Sequence, residues 1–317
     1  MKKKPAGTIP AQLPKLAVVD SPFSGVEPGA TETPLEQSNA RRAGAKVSAE
    51  TLVECICAMH LSSYVRGLGD HRGGMWLVGP SGVMKSTFLD FLDDYENTIF
   101  MSDLNAKGIM GLKGQFSIGS LRTLVLPELQ KLYERDPRTA ANVEGSIRAF
   151  VEEGFRGASF EATGINRFRA RATVVGAMTD DLQEAMWKRW VTSGFARRFL
   201  WCLIRLEDPE ILMRAVEDWR LHDMGDIVMP NLPSTREIEN NLTVNDRKRI
   251  RPLVRYQPMP NNFCFEILCK ITCVLRWHYG RRGIKKDALE TVEEFSACLG
   301  THGKEGANIV LGTVAKK

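Results

Sequence analysis

The chain has 317 residues, 43% hydrophobic and 26% charged, which suits one large domain or two smaller ones with a sizeable core. A net charge of +5 permits a nucleic-acid partner without requiring one. No apolar run is long enough for a membrane span and the opening Met1-Lys-Lys-Lys-Pro has no apolar segment behind it, so a cytoplasmic protein with no membrane partner is expected. The cysteines lie inside apolar segments without a C-x-x-C pair, the pattern of buried thiols in a reducing compartment rather than of a zinc site.

Residues 1–46 are rich in Pro, Gly, Ala, Ser and Thr and form a flexible arm, either an inert linker or a contact for nucleic acid or a partner. Ser48 is placed to cap a helix whose Leu52, Val53, Ile56, Cys57, Leu61 and Val65 fall at helical spacing, ending near residues 67–69. Residues 75–78 are continuously apolar, a buried strand. They lead into Gly79-Pro80-Ser81-Gly82-Val83-Met84-Lys85-Ser86-Thr87 and then a second helical pattern. Strand, glycine-bearing loop, Lys-Ser and helix make the phosphate-binding P-loop, G-x-x-x-x-G-K-[ST]. Its chemistry needs that order, because backbone N–H groups of the loop and helix start face the phosphates of ATP. Lys85 then neutralises the β/γ-phosphates and the Ser86 hydroxyl binds Mg²⁺. Met84 stands where the motif has its second glycine.

Further along, residues 98–101 read as a second strand, and the glycine-rich stretch 104–120, without clear periodicity, as a mobile loop. Within residues 121–129, four or five residues of buried strand end in Pro127-Glu128. An Asp-Glu pair at that place holds Mg²⁺ and polarises the attacking water. Here Pro127 replaces the Asp, and Glu128 orients water or holds the metal, with one acidic ligand missing. A helix over 129–154 breaks at Pro137. Thr163-Gly164 is the turn of a hairpin over 157–171, where strand alternation puts Arg167, Arg169 and Arg171 on one face, either a row for phosphates or a solvated face. A further apolar strand over 172–179 ends in Thr179, whose hydroxyl is a candidate sensor of the γ-phosphate. Arg197 and Arg198 precede another buried strand, the place of an arginine finger supplied to a neighbouring subunit. Helices are expected over 209–222, 262–280 and from Asp287 to about 299. Residues 226–261 are polar and Pro-rich with a basic cluster at 247–251, and 281–286 is a basic turn.

With these pieces in order the chain resembles an AAA+ ATPase, and within that class the minichromosome-maintenance (MCM) helicases and related phage- and plasmid-encoded ATPases. That family's P-loop also lacks the second glycine, carrying alanine where this chain has Met84. Its hairpin and sensor strand correspond to residues 159–179, and its Ser-Arg-Phe finger to Arg197-Arg198-Phe199, favouring Arg198. The resemblance covers roughly residues 47–300, and the 46-residue arm has no counterpart of the family's N-terminal DNA-binding domain. It implies an α/β fold, a parallel sheet flanked by helices, with an ATPase core over 47–208, a small helical lid over 209–300 and a tail over 301–317. It also implies a homo-oligomer, a hexameric ring or a filament, with the 159–171 hairpin facing a channel that holds DNA.

Two functions follow as expectations. One is an ATP-driven nucleic-acid motor or loader of DNA replication or mobile-element maintenance, using Lys85, Ser86, Glu128 and Thr179, with Arg198 acting from the neighbour. The other is an ATP-gated assembly protein with little hydrolysis, suggested by Met84 and Pro127. A small-molecule kinase would leave the hairpin, sensor and finger idle.

Overall fold

The computed structural model describes residues 46–102, 104–134, 136–154, 170–206, 238–257, 259–300 and 307–310, all within one compact unit. An uninterrupted apolar run is the mark of a strand covered on both faces, and β2 (Gly74–Val78) is buried at every position. It lies between β5 (Thr173–Met178) and β6 (Leu200–Leu206), parallel to both. β5 pairs with β4 (Thr123–Leu126), and β4 with β3 (Thr98–Phe100), again in parallel. These five strands form a parallel sheet in the order β6-β2-β5-β4-β3. Two short strands, β7 (Ala307–Val310) and β1 (Lys46–Ser48), continue it beyond β6.

Side chains alternate along each strand, so the sheet feeds two separate cores. Met75, Leu77, Val175, Ala177, Cys202 and Ile204 point into one, and Trp76, Val78, Val174, Met178, Trp201 and Leu203 into the other. The first core is roofed by α1 (Ala49–Leu61), capped by Ser48 as expected, by α8 (Asn262–Arg282) and by α9 (Ala288–Phe295), capped by Asp287. The second is covered by α5 (Pro137–Val151) and α6 (Asp180–Ser193), which contribute Val143, Ile147, Phe150 and Trp190. A short α4 (Gln130–Tyr133) precedes α5, and the chain breaks before Pro137 as its rigid φ requires, with Asp136 as the cap.

Two expectations change. Residues 106–118 are not a loop but a helix, α3 (Ala106–Ile118). The Asn105 side chain accepts from the Gly108 N–H at 2.8 Å, Gly119 closes the far end at φ 80°, and Ile109 and Phe116 are buried. Caps and burial at both ends outweigh interior glycines that cost about 1 kcal/mol each. The C-terminal helices do not stand apart as a lid either. Ile267, Ile271 and Val274 of α8 and Val292 of α9 share one buried cluster with Met75, Leu77 and Cys202, so they complete a face of the sheet. The expected arm over 1–46 apart from Lys46, which opens β1, the helix over 209–222 and the hairpin up to residue 169 lie outside the described residues. All seven cysteines are buried and none is joined in a disulfide. Among the described residues no helix is long and apolar enough to cross a membrane.

Candidate nucleotide site at the carboxyl edge of the sheet

Because the strands are parallel, their carboxyl ends share one edge, where ligands of open α/β sheets bind. The loop after β2 leaves from its middle. At Gly79 a Cβ would lie 2.5 Å from the Ile204 carbonyl oxygen of β6, so only glycine passes there. Pro80 is half-buried, Ser81 and Gly82 are exposed and Val83 is buried. Gly82 turns at φ 83° with open space where its side chain would be. Met84 then adopts φ 55° and ψ 22°, the only positive φ among the described non-glycine residues. The site of the missing second glycine thus keeps a glycine-like backbone.

Met84 leads into α2 (Lys85–Asp90), which no side chain caps. Ser86 is exposed and Thr87 half-buried. The Lys85 ammonium turns back on its own loop and donates to the carbonyls of Gly79, at 2.9 Å, and of Pro80. Burial lowers its pKa, the Asp180 carboxylate opposes that shift and the Arg205 guanidinium adds to it.

The neighbouring strands bring the other carboxyl-edge residues. Thr179 caps α6, its hydroxyl accepting from the Leu182 N–H at 3.3 Å. A hydroxyl carries a proton as well as lone pairs, so this cap leaves its O–H able to donate. Glu128 follows β4, whose continuation is tied to β5 by the Leu129 N–H on the Ala177 carbonyl. Its carboxylate pairs with Lys131 one helical turn on, and about two-fifths of the side chain is exposed. β4 stands two strand spacings from β2, about 10 Å, against about 5 Å for β5.

Asp180 and Arg205 were not anticipated from the sequence. Asp180 opens α6 directly after Thr179, Arg205 lies near the end of β6, and their side chains meet at 3.0 Å. The available signal was Arg205 itself, a lone charge in an otherwise apolar strand.

The remaining candidates among the described residues sit at the opposite edge. Arg171 precedes β5 and donates to the Asp70 carbonyl at 2.9 Å, with the Asp70 carboxylate 3.6 Å away. It is thus paired within the chain, and Arg167 and Arg169 lie outside the described residues. Arg198, in the turn Ala196–Arg198 before β6, is half-buried against Glu152 and the Gly194 carbonyl, and burial lowers its pKa. Arg197 beside it is exposed. The Asn261 side chain holds the Arg197 carbonyl at 2.9 Å, at the rim of a groove of about 330 Å³ lined by Arg251, Arg255, Asn262 and Phe265.

Among the described residues no group of three or more His, Cys, Asp or Glu is arranged to hold a metal ion. Mg²⁺ beside a triphosphate needs less: phosphate oxygens, water and one or two protein oxygens. The Ser86 hydroxyl and the Asp180 carboxylate are donors of that kind, so the residues present fit the group. No protein-family model matches the chain, and no curated protein is significantly similar to it.

Proposed function

We propose that the protein is a P-loop ATPase that binds Mg²⁺–ATP at residues 79–87. The observation that carries this is Lys85. It is a half-buried ammonium held only by two carbonyls of its own loop in the hydrogen bonds described, beneath an exposed turn and at the carboxyl edge of a parallel sheet. A bound triphosphate supplies the phosphoanhydride bond to be broken. The chain's part is to position and neutralise it: loop N–H groups donate to phosphate oxygens, Lys85 exchanges its carbonyls for the β/γ-phosphates, and the Ser86 hydroxyl faces the metal. Glu128 orients the attacking water after leaving Lys131, and Thr179 donates its remaining proton toward the terminal phosphate.

The sheet order supports the AAA+ reading, because β5, the strand that ends in Thr179, lies between the P-loop strand and the strand that ends in Glu128. On that reading the protein works as an oligomer on nucleic acid, a motor or loader of the helicase kind. The exposed Arg197 rather than Arg198 then reaches the neighbour's nucleotide. A second reading, an ATP-gated assembly protein that hydrolyses slowly, is favoured by Pro127 and by the engagement of Glu128 with Lys131.

The test is ATP binding and turnover by the purified protein, with and without single- and double-stranded DNA. Lys85→Ala is expected to abolish both. Turnover stimulated by DNA supports the motor, whereas binding with oligomerisation and no turnover supports the switch. Binding unchanged in Lys85→Ala would refute the site.

A further inference from the structure

We propose that Asp180 and Arg205 form an exchangeable latch beside the P-loop, in which Arg205 moves to the terminal phosphate of the bound nucleotide and thereby releases Asp180 to Mg²⁺. The inference rests on the P-loop reading above and adds two residues to it.

Topology places the pair. Val78 at the end of β2 is level with Met178 of β5 and with Leu203 of β6. Asp180 and Arg205 therefore each lie two residues beyond that level, on the strands that flank Gly79 and Pro80. Those strands are two spacings apart with β2 between them, yet the two side chains meet at 3.0 Å. The ion pair therefore closes at the end of the P-loop strand, where Lys85 is anchored on Gly79 and Pro80. Both partners act electrostatically on the Lys85 ammonium.

Chemistry explains why the pair opens. Arg205 and Asp180 are 27% and 30% exposed, and ion pairs of that exposure contribute little to stability. A guanidinium binds phosphate oxygens through two parallel hydrogen bonds, a stronger partner than a half-solvated carboxylate. Arrival of a triphosphate therefore draws Arg205 away and leaves Asp180 uncompensated one strand spacing from the loop. Mg²⁺ is the natural replacement. This also answers Pro127: the acidic ligand absent from β4 is supplied by the neighbouring strand, which is nearer to β2 than Glu128 is.

The test measures binding of a fluorescent ATP analogue with Mg²⁺ and with EDTA, for the wild type, Lys85→Ala, Asp180→Asn and Arg205→Gln. Asp180→Asn is expected to bind in EDTA at least as well as the wild type, since the Asp180 carboxylate no longer competes with phosphate for Arg205, and to lose the gain from Mg²⁺. Arg205→Gln is expected to weaken binding about tenfold or more in both conditions, the loss of a charge-assisted contact. Because the pair contributes little to stability, the melting temperatures of both single variants are expected to match the wild type, so a change in binding reports on the ligand. Lowered melting temperatures accompanying lowered binding in both variants make the pair structural and overturn the proposal. A full Mg²⁺ gain in Asp180→Asn with wild-type affinity in Arg205→Gln also overturns it, while loss of binding in Lys85→Ala would still uphold the P-loop. If the wild type binds no nucleotide, the P-loop reading itself fails.

Discussion

Met84 carries the loop over residues 79–84 through a left-handed turn, φ 55°, that glycine enters freely and an L-residue enters at a cost of about 1 kcal/mol or more. Its side chain offsets part of that by packing, half-buried, against the core under α1. Met84→Gly is therefore expected to stay within about 1 kcal/mol of the wild type, strain relief balancing lost contact. Met84→Ile keeps the volume but puts a branched Cβ where φ is positive, and should destabilise by about 1–2 kcal/mol. Urea unfolding at equal m-values measures both, and an isoleucine variant as stable as the wild type would show that the turn is not held. Residues 79–87 could be singled out from sequence as a candidate phosphate loop because they are contiguous. Asp180 and Arg205 could not be paired, since only the strand order brings them together.

At the level of elements, short-range polar groups decide where helices begin. α7 (Val244–Ile250) arises within a stretch whose composition suggested only a polar, basic connection. Thr243 and Asp246 form a capping box, each side chain accepting from the other's N–H, and that Thr-x-x-Asp signal was present in the sequence. Less visible was the second partner of Asp246, Arg276 of α8 at 2.9 Å. The hydrogen bond from Arg276, with those from Thr243, holds the Asp246 carboxyl down at about 2. A carboxyl whose folded pKa is depressed stabilises the fold above its unfolded value near 4, and that contribution is lost as pH falls through about 2. Asp246→Asn is expected to cost about 1–2 kcal/mol at pH 6. The deficit should shrink toward zero near pH 2, measured by urea unfolding at both pH values. A deficit that persists at pH 2 would mean that geometry rather than charge matters there.

For the molecule as a whole, the parallel sheet separates two sets of charged groups. The amino ends of β5 and β6 lie across the sheet from the P-loop, roughly 15–20 Å away over strands of five to seven residues. On the proposed ATPase reading, Arg197 at that edge can meet only the nucleotide of another copy. Arg198, bound to Glu152 and the Gly194 carbonyl, belongs to the fold. Arg198→Ala is expected to lower stability by about 1–3 kcal/mol through the stranded Glu152 carboxylate. Arg197→Ala should leave the melting curve unchanged and nucleotide binding intact while removing turnover. Mixing Arg197→Ala with Lys85→Ala should restore part of the turnover if the arginine acts between subunits. Wild-type turnover in Arg197→Ala would remove it from the mechanism.

The sequence alone was enough for features settled within a few residues: the apolar runs of β2, β4, β5 and β6, the caps at Ser48 and Asp287, the break at Pro137 and a glycine-bearing loop over 79–84 leading into a helix at Lys85. Sterics and hydrogen bonding act over that range, so a local pattern carries them. Burial against the rest of the chain decided the remainder. It made a helix of glycine-rich residues 106–118 by covering Ile109 and Phe116, and drew α8 and α9 into the core of the sheet. It also turned Arg198 inward and brought Asp180 to Arg205 across 25 residues of chain. Such pairings depend on which strands lie side by side, and that order is set by the packing of the whole sheet.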